Sequence, residues 1–190
     1  FQSTIDTEPI LYLIARERIH SATVEEAVNK ACEKLKGAFS FVLMSPRKLI
    51  AVRDPHGFKP LVIGKRGNSY IFTSETAALD TVGAEFVRDV RPGETVWVKS
   101  DGVLHSDMSR ALPPEKQARC IFEYIYFSRL DSYIDGVSVY SSRIKAGRFL
   151  AQDSPVDADL VVGVPESGNA AAMGYAMESG IPYGTAFVKN

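Results

Sequence analysis

The stretch CIFEYIYFSRLDSYIDGVSVY, from Cys120 to Tyr140, constrains the fold more than any other part of this sequence. Phe122, Tyr124, Tyr126 and Phe127 crowd into a short apolar run. The run breaks at once into Ser128-Arg129-Leu130-Asp131-Ser132 and then Asp135-Gly136, residues that favour turns and carry charge. Upstream, short apolar runs are punctuated by Gly, Pro and Asn, as in β-hairpins; downstream, helical and strand patterns alternate, as in a doubly wound domain. The stretch therefore reads as a junction between an α+β half and an α/β half. Its four rings are expected to be core at an interface between two domains. Functional interest concentrates on Cys120, Arg129 and Asp131.

Before the junction, Asp6-Thr7-Glu8-Pro9 opens a helix through Ile10, Leu11, Leu13 and Ile14, with Arg16 and Arg18 near its basic end. Thr23-Val24-Glu25-Glu26 has the form of a capping box, starting a second helix that carries Val28, Ala31 and Leu35 on one face and stops at Gly37. Cys32 lies on that helix, and buried packing is its expected role. Ala38–Met44 and Leu49–Val52 form one expected hairpin, and Leu61–Gly64 and Tyr70–Thr73 a second. Between the hairpins, Arg53-Asp54-Pro55-His56-Gly57 reads as a charged, hydrogen-bonded turn rather than a catalytic group. Ser74-Glu75-Thr76 caps a short helix, and Phe86–Val90, Thr95–Lys99 and Val103-Leu104 complete the strands, with Trp97 in the core. The polar segment with Pro113-Pro114 is the expected linker, so the organisation is 1–105, a linker over 106–119, and 120–190.

Beyond the junction, Ser138–Leu150 reads as a helix and Asp159–Val164 as a buried strand. Pro165-Glu166-Ser167-Gly168-Asn169 then feeds the Ala-rich helix 170–179, and Thr185–Val188 begins a parallel strand. A strand, a Gly/Ser loop and a helix start together gather unpaired N–H groups at the positive end of a helix dipole, which suits an anion. The loop lacks both the lysine spacing of a P-loop and the three glycines of a dinucleotide fingerprint. On pattern alone, a phosphate site and a structural turn fit equally well.

Charge and cysteine content exclude several classes. Lys and Arg number 22 against 23 Asp and Glu, a net charge of -1, so there is no broad basic footprint for nucleic acid or anionic membrane. No apolar run approaches a membrane span. The two cysteines, far apart and without metal-ligand spacing, point to a reducing, cytoplasmic setting. The chain opens at Phe1 and closes at Lys189-Asn190 directly after an expected strand, so both ends read as cuts in a longer protein.

Several of these motifs in this order resemble glutamine phosphoribosylpyrophosphate amidotransferases: Asp6-Thr7-Glu8, Gly37-Ala38-Phe39-Ser40, Arg53 to Leu61, Ser74-Glu75-Thr76, Arg88-Asp89-Val90 with Pro92-Gly93-Glu94, Cys120 to Asp135, and Val162 to Gly168. The resemblance covers nearly the whole chain. Its Asp54 turn is shared with other amidotransferases of the N-terminal-nucleophile class, whereas Cys120 to Asp135 is specific. The resemblance implies the C-terminal part of an N-terminal-nucleophile αββα sandwich joined to the start of a type I phosphoribosyltransferase α/β domain. It implies an enzyme that hydrolyses glutamine and passes the ammonia to phosphoribosyl pyrophosphate. The products are 5-phosphoribosylamine, glutamate and pyrophosphate, in the first step of de novo purine synthesis. Mg²⁺ as cofactor, purine nucleotides as feedback inhibitors and a homo-oligomeric state are implied with it.

Residue by residue, the resemblance makes Asp6 the carboxylate that binds the glutamine α-amino group, and Glu166, Ser167, Gly168 and Asn169 the pyrophosphate-binding loop. Cys120 matches a ligand of the [4Fe-4S] cluster that some members carry. Glu166 stands where many members have Asp, and Leu130 where Pro is usual. The nucleophilic cysteine would lie upstream of Phe1, so this stretch alone is expected to catalyse neither half-reaction. Two other readings compete: another amidotransferase of the same nucleophile class, such as a sugar-phosphate aminating enzyme, and a non-catalytic truncated binding or assembly module.

Overall fold

The computed structural model describes residues 1–189, and the chain divides into two compact units. The first comprises 1–72 and 87–119, the second 73–86 and the residues from Cys120 onward.

In the first unit, α1 (Thr7–Arg18) and α2 (Val24–Cys32) precede the hairpin β1 (Ser40–Ser45) and β2 (Lys48–Arg53). Thr23 accepts a hydrogen bond from Glu26 N, and Glu26 Oε2 in turn accepts from Ala22 N at 2.8 Å, so the expected cap forms. There follow along the chain β3 (Val62–Arg66), β4 (Ser69–Thr73), α3 (Thr76–Thr81), which belongs to the second unit, β5 (Glu85–Asp89), β6 (Thr95–Lys99) and β7 (Leu104–Asp107). The strands form a four-stranded sheet in the order β1-β2-β6-β7 and a three-stranded sheet in the order β4-β3-β5.

The period of two along β2 sets the layering. Ile50 and Val52 join Ile14, Val28, Ala31 and Cys32 in a core beneath the helices, while Ala51 between them joins Leu61, Ile63, Val90 and Val96 in a second core. The first unit is thus helices on a sheet, with a second sheet beyond, and the expected αββ layering is present. Half-buried Trp97 packs against the helix-side core. The expected linker is not a free tether: β7 takes its first residues, and buried Arg110 donates to Thr95 Oγ1 at 2.8 Å. A Cβ on Gly93 would lie 2.6 Å from the Ala111 backbone, which shows how closely this segment is laid against the turn before β6.

The second unit contains α3, the two-residue strands β8 (Tyr133–Ile134) and β9 (Val137–Ser138), α4 (Val139–Asp153), β10 (Val161–Val162), α5 (Asn169–Ser179) and β11 (Tyr183–Gly184). β10 and β11 are parallel, the α/β pattern expected here. Two expectations need correction. The strand expected over 159–164 pairs only at Val161 and Val162, and Leu160 and Val164 are exposed, because among the described residues β10 has one strand neighbour. The parallel strand forms at Tyr183-Gly184 rather than at 185–188.

The aromatic run is a third correction. Glu123–Phe127 is a π-helical turn, and a wide turn rotates the rings outward: Phe122, Tyr126 and Phe127 are more than half exposed, while Glu123 is buried. Helices α4 and α5 cross at Gly147 and Gly174. A Cβ at either would run into the backbone of the facing helix, at Ala171 and Ile144 respectively. Segment 73–86 belongs with this unit because α3 is tied to β8 and the turn before it. Tyr133 N donates to Thr76 Oγ1 and Ser132 Oγ to Glu75 Oε2, both at 2.8 Å.

Candidate functional site

A cavity of about 460 Å³ in the second unit brings together Ser128, Arg129, Leu130, Asp131, Arg143, Glu166, Ser167 and Asn169. Arg129 and Asp131 of the junction and the Gly/Ser loop therefore line one space, apart from Gly168, which opens α5 just behind it, whereas Cys120 does not line it.

The loop is shaped by close backbone approach. A Cβ on Gly163 would sit 2.6 Å from Asn169 Oδ1, and one on Gly168 2.8 Å from Val164 O, so the chain folds tightly back before α5. The Pro165–Glu166 peptide bond is cis. Gly168 N donates to Val164 O at 3.0 Å and Asn169 N to Glu166 O at 3.3 Å. Among the described residues, the N–H groups of Glu166, Ser167, Ala170 and Ala171 find no protein acceptor. Unpaired amides at the start of an eleven-residue helix are the donors an anion needs.

Arg129 and Asp131 pair across the mouth, Nε to Oδ1 at 3.1 Å and Nη2 to Oδ2 at 2.8 Å, with both side chains more than half exposed. Such a pair contributes little to stability and is open to exchange for a ligand phosphate. Arg143, on α4, is buried, and burial pushes its pKa down. Nothing in its sequence context marks it as a site residue, since it lies within a helix rather than in the loop.

Asp6 lies elsewhere, in the first unit, in an open cavity of about 670 Å³ with Lys36, Phe39, Ser40 and Lys59. It occupies the position before α1, yet its side chain makes no capping bond. Glu8 instead closes the start of the chain, accepting from Gln2 N at 2.7 Å and Ser3 N at 2.8 Å. The Asp6 carboxylate thus stays exposed and available to a cation.

Arg53 and Asp54, by contrast, are fully engaged. Arg53 donates to the carbonyls of Gly57, Lys59 and Val90, while Asp54 accepts from the N–H groups of His56, Gly57 and Phe58. Both are buried, and the turn is structural, as its sequence implied.

The chain's similarities run the same way. A glutamine amidotransferase domain family matches residues 1–81. An amidophosphoribosyltransferase of Rhizobium etli is 46% identical over 191 residues, covering 100% of this chain and 38% of the relative. One of Archaeoglobus fulgidus is 44% identical, covering 100% of this chain and 41% of the relative. A solved Bacillus subtilis glutamine phosphoribosylpyrophosphate amidotransferase, complexed with ADP and GMP, superposes with a TM-score of 0.90 at 42% identity, covering 100% of this chain and 41% of that one.

The similarity is to amidophosphoribosyltransferase, end to end. The chain spans about two fifths of the length of these relatives. At 42% identity over the whole chain, the Bacillus amidophosphoribosyltransferase shares the loop-and-helix architecture of both units, so the α+β and α/β assignment holds.

Neither Mg²⁺ nor an iron–sulfur cluster, the two cofactors expected from the resemblance, has a full set of side-chain donors among the described residues. No group of three His, Cys, Asp or Glu is placed to hold a metal ion. An iron–sulfur cluster needs about four thiolates. Of the two cysteines here, Cys32 is buried at the end of α2, with its thiol pushed by burial up to about 11, and Cys120 stands alone before the π-helical turn. Among the described residues Cys120 can supply at most one ligand of a cluster. Among the described residues no helix is long and apolar enough to cross a membrane.

Proposed function

We propose that these residues form part of an enzyme that takes ammonia from glutamine and delivers it to phosphoribosyl pyrophosphate, displacing pyrophosphate to give 5-phosphoribosylamine. The observation that carries this reading is the cavity over Glu166–Asn169, where unpaired amides at the start of α5 meet Arg129 and Arg143. Diphosphate is the leaving group of that reaction, and positioning and neutralising it is most of what the displacement needs. An exposed, uncapped Asp6 supports its pairing with the substrate's α-ammonium. Matches that cover 100% of this chain, the junction and the loop included, support this enzyme over a sugar-phosphate aminating relative.

In this reading Mg²⁺ arrives with the phosphates, whose oxygens supply most of its ligands and whose charge it offsets. The chain's own residues bind and orient the diphosphate and keep water from it. Purine nucleotides as regulators, a homo-oligomer and a cytoplasmic location belong to the same reading. The regulators are supported by the ADP and GMP in the Bacillus complex, and the location by two unpaired cysteines.

The test is calorimetric titration of Mg²⁺-diphosphate into the 190-residue chain. Saturable binding that phosphoribosyl pyrophosphate displaces is expected; no binding at millimolar ligand would overturn the reading.

A further inference from the structure

Arg143 is 5% exposed, and its guanidinium reaches three backbone carbonyls on two separate segments. Nε donates to Tyr124 O at 2.6 Å and Nη2 to Ser128 O at 2.9 Å, at the two ends of the aromatic turn. Nη1 reaches Ser167 O at 3.5 Å, in the loop on the other side of the cavity. Among the described residues no carboxylate pairs with it, so its charge is held in a largely dry place by carbonyl dipoles alone. Burying an unpaired cation is costly, and a neutral side chain could fill the same space. The geometry shows what the cost achieves.

The two oxygens and two N–H groups of the loop peptides point in opposite pairs, because C=O and N–H of a trans peptide are antiparallel. The Ser167–Gly168 peptide is held at both ends, its carbonyl by Arg143 and its N–H by Val164 O. The Glu166–Ser167 peptide turns its carbonyl to Asn169 N, which leaves Ser167 N–H directed away from the helix turn. Flipping the Glu166–Ser167 peptide would turn the free Ser167 N–H away, and the Ser167–Gly168 peptide held on its C-terminal side resists that change.

We infer that Arg143 is the positioning residue of the anion loop: one guanidinium ties the junction turn to the Ser167 carbonyl, steadies the loop in the turn that leaves the Ser167 N–H free, and supplies a buried positive charge that no carboxylate partners. The inference rests on the diphosphate reading above. It gives α4 a role in binding although the loop itself lies at the start of α5. Specificity follows from it, since a fixed ring of amides with one buried cation favours a multiply charged phosphate over a monoanion such as chloride or acetate.

The experiment is titration of Mg²⁺-diphosphate into the wild-type chain, Arg143→Lys and Arg143→Gln, with amide and guanidinium ¹⁵N spectra of each. Lys keeps the charge but cannot span three carbonyls. Expected are a loss of affinity of at least tenfold in Arg143→Lys, a larger loss in Arg143→Gln, and displaced Ser167 and Gly168 amide resonances in ligand-free Arg143→Lys. Affinity for Arg143→Lys within twofold of wild type overturns the inference while leaving the diphosphate reading standing. Absence of binding to the wild type overturns both. Should the variants not fold, the wild type still decides. An Arg143 Nε resonance that shifts on saturation with diphosphate supports the role, and one that stays in place overturns it.

Discussion

Glu94 and Arg88 meet through two parallel hydrogen bonds, Nη1 to Oε2 and Nη2 to Oε1, each 2.8 Å long, in a carboxylate that is 1% exposed. Burial pushes the Glu94 pKa up. Hydrogen bonds from Arg88, Ser106 and Arg91 N outweigh that and hold it below the ordinary carboxylate value. A carboxylate with a depressed folded pKa contributes stability that is complete above the unfolded value, and that is lost as pH falls through the folded one. Urea unfolding at a series of pH values should therefore show stability steady at neutrality and declining below about pH 4.5, the unfolded value. Glu94→Gln should cost about 3 kcal/mol at pH 7, the lower end for breaking a buried pair, because Arg88 keeps access to water. The same variant should flatten the acid slope, and an unchanged slope would show that Glu94 is not its source.

Glu75 holds the turn after the aromatic run. Its Oε2 accepts from Arg129 N at 2.9 Å and from Ser132 Oγ at 2.8 Å, and Ser132 is fully buried. Glu75→Ala leaves a buried hydroxyl and a backbone N–H short of their acceptor, at about 2 kcal/mol. Chemical denaturation monitored in the second unit should show this loss. Diphosphate affinity should fall too, since Arg129 lines the cavity.

Much of this was legible before any coordinates. Capping at Thr23, the hairpins and the buried Arg53–Asp54 turn followed from local chemistry, because each is decided by residues within a few positions. The loop at Glu166–Asn169 was legible as an anion site only as one of two equal readings. What favours the anion reading is Arg143, more than twenty residues upstream, and sequence spacing cannot show a guanidinium reaching Ser167. The aromatic run misled because apolar content signals burial only on average; the π-helical turn places Glu123 inside and three rings outside. The 106–119 segment looked like a tether from its prolines, whereas Arg110 anchors it through Thr95 and Asn29.

The crossing of α4 and α5 leaves no room for a side chain at Gly147 or Gly174. Gly147→Ala would push the helices apart against each other's backbone, which cannot yield as a flexible side chain does. Overpacking of this kind costs about 1–3 kcal/mol. Arg143 sits one turn before Gly147, so the displacement should also loosen its reach to Ser167 and reduce diphosphate binding. A thermal melt and a titration on the same sample check both effects. Unchanged melting would mean that the helices can separate freely.

Ammonia release from glutamine should not exceed the blank for the 190 residues alone. Acyl transfer needs a thiolate with access to substrate. Cys32 is buried and protonated, and among the described residues the Cys120 thiol hydrogen-bonds to no base. Turnover above the blank would show that one of these thiols acts as a nucleophile.

The two thiols should also separate in a labelling experiment. Burial lifts the Cys32 pKa from 9.0 to about 11, and the residue is 3% exposed, so it presents almost no thiolate at pH 8. Cys120 is half-buried and should react first with a disulfide reagent, giving one fast equivalent and a second only on unfolding. The sign of the linkage follows. A raised acid pKa keeps its stabilising effect in full below the unfolded value, and loses it as pH climbs toward the folded one, by roughly 3 kcal/mol for such a shift. Cys32→Ala should therefore remove part of the alkaline loss of stability between about pH 9 and 11. It should do so at the cost of a small cavity beside Ile14 and Val28. Two equal, fast labelling equivalents in the native chain would contradict the burial that underlies both expectations.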